Sequence, residues 1–171
     1  VTSGTGSGKS LIFLATIFNY ILKQREKTKG IKAMLVYPMN ALINSQELEI
    51  QKFADNYKEK LPITFAKYTG QESKEDRGSI KKQEPDIILT NYMMLELIMT
   101  RATEEWMRES MKKNLVYLVF DELHTYRGRQ GADVAMLIRR IRYLAEKEII
   151  CIGTSATMAT EGTIAEQKNA I

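Results

Sequence analysis

The segment Thr2-Ser3-Gly4-Thr5-Gly6-Ser7-Gly8-Lys9-Ser10 joins glycine-dense backbone to a Lys-Ser pair. Backbone without side-chain bulk lets successive N–H groups converge on phosphate oxygens, so Thr5, Gly6, Ser7 and Gly8 can cradle a polyphosphate. Lys9 would neutralise the β- and γ-phosphates, and Ser10 would offer its hydroxyl to Mg²⁺. The apolar run Leu11-Ile12-Phe13-Leu14-Ala15 would be the helix whose N-terminal dipole faces the same anion. The strict pattern G-x-x-x-x-G-K-[ST] has Ser3 at its first glycine, a residue small enough to be tolerated. Taken alone, a Gly/Ser/Thr-rich stretch also fits a flexible linker. Lys-Ser running straight into an amphipathic helix favours the cradle.

A second chemical group lies far along the chain. The apolar run 115–120 ends in Asp121-Glu122-Leu123-His124, two adjacent acids where open α/β sheets bind ligands. Hydrolysis of ATP needs one acid to hold Mg²⁺ and a base or orienter for the attacking water, roles that Asp121 and Glu122 would fill in that order. Thr154-Ser155-Ala156-Thr157 brings three hydroxyls to the end of a later apolar run, where strand-end capping is the plainer use. His124 is the only histidine.

The elements that must carry these groups follow from periodicity. Apolar runs at 33–37, 63–66, 86–89, 115–120 and 149–152 predict strands buried on both faces, since a one-sided sheet would alternate. Helical periods fall at 11–23, 41–53, 92–101 and 132–145, giving an α/β domain with a mainly parallel sheet between two helical layers. On the last helix Val134, Leu137, Ile138, Ile141 and Leu144 share one face, leaving Arg139, Arg140 and Arg142 to solvent. Residues 71–84 are polar, without hydrophobic period, and read as an exposed loop or frayed helix. Trp106 reads as a half-buried anchor, and Cys151, within an apolar run, as a buried small hydrophobe.

A length of 171 residues suits one domain, and 44% hydrophobic with 27% charged residues suits a globular one. No apolar run approaches the roughly 20 residues of a membrane span. A net charge of +4 is compatible with a polyanionic partner without requiring one. A single cysteine forbids an internal disulfide, and the glycine-rich start leaves no room for a signal sequence, so a cytoplasmic setting is expected.

The three groups together, in order and spacing, resemble motifs I, II and III of superfamily 2 helicases, and Asp121 to Gly128 is similar to the DExH helicases of the YprA type. Residues 37–46 resemble motif Ia of the same family. The resemblance covers the whole chain and implies a three-layer, RecA-like P-loop NTPase domain using ATP and Mg²⁺ on nucleic acid, with DNA as the expected partner, single-stranded or duplex. It implies that Lys9, Asp121, Glu122 and His124 serve hydrolysis, that Ser10 and Asp121 hold the metal, and that His124 senses the nucleotide through motif III or a second motor domain. Thr154, Ser155, Ala156 and Thr157 would couple hydrolysis to movement. Pro38, Met39, Asn40, Thr69, Gly70, Thr90 and Asn91, each ordinary turn chemistry alone, would line a strand track together, with Arg127 reaching it. On this resemblance residues 1–171 are one motor domain of a longer protein, lacking the strand before motif I and the second RecA-like domain, so the fragment by itself would hydrolyse ATP very slowly. Other assignments are a motor subunit of a restriction or phage-defence complex moving on duplex DNA, a P-loop small-molecule kinase, and a nucleic-acid binding module with a vestigial nucleotide site.

Overall fold

In the computed structural model the described residues are 8–24, 28–56 and 61–155, with side chains described from Ser10 onward. Thr5, Gly6, Ser7, Ala156 and Thr157 lie outside them, and Gly8 and Lys9 are placed as helical backbone only. The strands are β1 (Ala33–Tyr37), β2 (Phe65–Lys67), β3 (Ile87–Asn91), β4 (Tyr117–Phe120) and β5 (Ile150–Gly153). They form one sheet in the order β2-β3-β1-β4-β5, every pair parallel. The helices are α1 (Gly8–Lys23), α2 (Asn40–Asp55), α3 (Lys74–Gln83), α4 (Tyr92–Thr100), α5 (Glu105–Asn114) and α6 (Gly128–Leu144).

Strand alternation divides the core between two faces. Ala33, Leu35, Tyr37, Ile87, Leu89, Tyr117 and Val119 pack with Phe13, Leu14, Ile17 and Ile21 of α1 and Ile43 and Ile50 of α2. Met34, Val36, Ile88, Leu118 and Phe120 pack instead with residues of α4, α5 and α6, including Leu95, Met107, Met111, Leu137 and Ile141. Burial of each such side chain contributes roughly 1.5–3 kcal/mol, and both faces of β1 and β4 are covered, which is why their sequences are continuously apolar. Lys32, buried at the amino edge, bonds Asp86 at 2.8 Å and the Gly30 carbonyl at 3.0 Å. Asp86 in turn accepts from the Thr64 amide and hydroxyl, both at 2.9 Å, so one satisfied ion pair ties the starts of β1, β2 and β3.

The structure departs from the periodicity in four places. Residues 74–83 form a regular helix without buried residues, held at its start by a capping box in which Ser73 and Asp76 exchange hydrogen bonds. Capping is a local polar signal, invisible to a search for apolar period. α5 is a further helix, anchored by Met107 and Met111 one turn apart, with Trp106 half-buried edge-on to Tyr68. β2 begins at Phe65, two residues later than its apolar run. Cys151 is exposed, not buried, because β5 is the outermost described strand and has no neighbour on its far side among the described residues. Among the described residues no helix is long and apolar enough to cross a membrane.

Candidate active site at the carboxyl edge of the sheet

Parallel strands deliver all their outgoing loops to one edge, and that edge carries Pro38, Thr69, Tyr92, Asp121 and Thr154. Tyr20, late in α1, packs edge-on against Tyr117 at the start of β4 with ring centres 5.5 Å apart. From Tyr20 back to Ser10 the helix rises about 15 Å. From Tyr117 to Asp121 the strand rises about 13 Å. Ser10, in the first turn of α1, is buried.

Thr154 organises the acids. Its hydroxyl donates a hydrogen bond to Asp121 Oδ1 and accepts one from the Glu122 amide at 3.1 Å. Its carbonyl accepts from the Leu123 amide at 2.7 Å, and its own amide donates to the Phe120 carbonyl at 3.0 Å. Glu122 sits in the left-handed region, with φ 51° and ψ 47°, a conformation that costs a non-glycine residue about 1–3 kcal/mol. The four bonds made by Thr154 hold the turn there. Glu122 Oε2 lies 3.1 Å from His124 Nδ1, and Ser155 Oγ lies 3.2 Å from the same nitrogen. Arg127 Nε donates to the His124 carbonyl at 3.0 Å.

Asp121 is suited to a hard cation. Among the described residues its Oδ2 accepts no hydrogen bond, and no group of three metal-ligating side chains exists. A carboxylate with one open oxygen and a serine hydroxyl fit Mg²⁺, which takes few protein ligands and fills the rest with phosphate and water. The neighbouring phenols stay neutral. Burial, then the charge of Asp121, pushes Tyr126 up to about 12. Burial, Asp121 and Glu49 push Tyr37 higher still. Changing Thr154 to Val, which keeps shape but removes both hydroxyl bonds, should lower ATP turnover of the full-length protein about tenfold with nucleotide affinity little altered. Steady-state hydrolysis and a nucleotide titration measure the two; unchanged turnover would exclude a coupling role.

The remaining edge loops are joined to one another. Asn91 Nδ2 donates to Asn40 Oδ1 at 2.8 Å and to the Thr69 carbonyl at 3.3 Å, while its Oδ1 caps α4 by accepting from the Met94 amide. Thr90 is fully buried and donates to the Tyr68 carbonyl at 2.6 Å, so it positions the loop instead of facing a ligand. Met39 is exposed at the N-cap of α2, and Pro38 precedes it in the bend after β1. The Thr69 and Gly70 amides are not free: both donate to Glu72, a residue that composition and period gave no reason to select. Its spacing, three residues after a threonine, was the available signal. Tyr68 beneath them donates to the buried Glu104 at 2.6 Å, a contact made across 36 residues.

Comparison with known proteins agrees with this architecture. The DEAD/DEAH box helicase family model matches residues 1–164. The chain is 32% identical over 168 residues to the ATP-dependent helicase YprA of Bacillus subtilis (strain 168), covering 95% of this chain and 21% of that protein. It superposes on the helicase MrfA bound to DNA and AMPPNP with a TM-score of 0.75 at 29% identity, covering 97% of this chain and 22% of the other. Mss116p bound to ssRNA and AMP-PNP gives a TM-score of 0.79 at 19% identity, covering 98% and 32%, a likeness of fold alone. The chain spans between 11% and 23% of the length of the curated relatives it matches.

Proposed function

This chain belongs to the DEAD/DEAH box helicase family, and from that premise we propose that residues 1–171 are one RecA-like motor domain of a longer cytoplasmic protein that couples ATP hydrolysis to movement on DNA. The single observation behind this reading is Thr154, which ties Asp121 and the Glu122 turn directly to the strand end that follows. The same sheet edge carries Asn40, Thr69 and Asn91, joined to one another through the Asn91 side chain. Kinase chemistry would have no use for such a link.

In this reading Lys9, with the amides of Thr5 to Gly8, binds the phosphates, and Ser10 and Asp121 hold Mg²⁺. Mg²⁺ when bound neutralises charge developing on the phosphates. Glu122 takes a proton from the attacking water, and His124, held between Glu122 and Ser155, registers whether the product phosphate has left. Pro38, Met39, Asn40, Thr69, Gly70, Asn91 and Arg127 form the strand track, with Thr90 beneath it as a support. Helix N-termini and backbone amides grip phosphates without reading bases. A second motor domain completes the site, since an arginine supplied across the nucleotide contributes about 10³–10⁵ in turnover. DNA is preferred because MrfA, solved bound to DNA, shares 29% identity with this chain.

Single-stranded DNA should stimulate ATP hydrolysis by the full-length protein. A handful of phosphate contacts would lower DNA affinity roughly 10²-fold between 50 and 200 mM salt. Hydrolysis followed against oligonucleotide concentration at several salt concentrations checks both. Indifference to DNA and RNA alike would end the motor assignment.

A further inference from the structure

One carboxylate fills an anion seat on the track. The Thr69 amide donates to Glu72 Oε1 at 2.9 Å and Oε2 at 3.0 Å, the Thr69 hydroxyl to Oε1 at 2.7 Å, and the Gly70 amide to Oε2 at 2.8 Å. Gly70 has φ +91°, the left-handed conformation that turns adjacent amides toward a common anion. Two neighbouring amides and a hydroxyl converging on two oxygens of one anion also match the non-bridging oxygens of a phosphodiester. Burial pushes the Glu72 carboxyl up, but the hydrogen bonds from the Thr69 hydroxyl and the Thr69, Glu72 and Gly70 amides together outweigh it and hold the carboxyl below its ordinary range.

One cation adjoins the loop. Arg77 of α3 donates through Nη2 to the Gly70 carbonyl at 2.9 Å, and its guanidinium carbon lies 5.7 Å from the Tyr68 ring centre. Its Nε is buried with no hydrogen-bond partner among the described residues.

We infer that Glu72 is an internal anion occupying a phosphate seat of the strand track, and that a backbone phosphate of bound nucleic acid displaces it. This rests on the assignment of Thr69 and Gly70 to the track. Glu72 then sets affinity by competition: every strand that binds must first release it, and its like charge disfavours the incoming phosphate while it stays. Release frees the loop before Ser73, the N-cap of α3, so occupation of this seat is also felt at that helix.

The test uses fluorescence anisotropy of a labelled single-stranded DNA oligonucleotide with the full-length protein. Glu72→Ala and Glu72→Gln should each tighten binding about tenfold, the loss of charge-assisted bonds to the competitor. Glu75→Gln removes the same charge from an exposed position on α3 and should change affinity less than about twofold. Thermal melting confirms that the variants are folded. Binding by either Glu72 variant that is unchanged, weaker, or tightened only as much as by Glu75→Gln overturns the inference and leaves Glu72 a strut of the turn. If neither the unaltered protein nor any variant binds DNA, the track assignment itself fails, and this inference with it.

Discussion

Glu122→Gln is expected to lower ATP hydrolysis by the full-length protein about 10²–10⁴-fold, the usual contribution of a general base, while nucleotide affinity stays within about twofold. The substitution keeps size and hydrogen-bonding capacity, so the left-handed turn, fixed through the backbone of residue 122 and Thr154, is retained. Only the proton acceptor is lost. Asp121 keeps its own bond to Thr154 and its open oxygen, so the metal side of the site is untouched. Single-turnover hydrolysis and a fluorescent-nucleotide titration separate the two effects. Loss of binding together with hydrolysis would make Glu122 a ligand-holding residue and move the base elsewhere.

Lys9→Ala is expected to reduce turnover by at least about 10²–10³-fold, comparable to removing one charge-stabilising donor from a developing oxyanion, and to weaken ATP binding as well. The buried face of α1 is made by Phe13, Leu14, Ile17 and Ile21, none altered, so the melting temperature should move little. That contrast separates a site defect from a folding defect. Turnover at the unaltered level would remove the phosphate-loop assignment, and with it the role given to Ser10.

The architecture was legible where burial imposes continuous apolar runs. The runs at 33–37 and 115–120 correspond to β1 and to β4 with its lead-in, and the helical period from 132 falls within α6, because each lies in a core whose periodicity the sequence must match. Elements held by local polar bonds were not legible in that way. α3 rests on the Ser73 and Asp76 capping box and α5 on Met107 and Met111 amid charged residues, neither giving a long apolar stripe. Cys151 illustrates the converse: an apolar run announces a strand, not which edge of the sheet it occupies.

The amino-acid sequence by itself determined the candidate chemistry, since a Lys-Ser pair after glycines, an acid pair after a strand and a hydroxyl cluster after another are local choices of residue type. Which of these groups touch was decided only by the tertiary structure. The parallel order β1-β4-β5 sets Asp121 beside Thr154, 33 residues away in sequence, and β2-β3 pairing brings Asn91 to the Thr69 carbonyl across 22. The same fold turned the Gly70 amide onto Glu72 and buried Thr90. Hydrogen bonds between distant segments depend on strand order and register, and no pattern of residue types along one segment encodes the other end of such a bond.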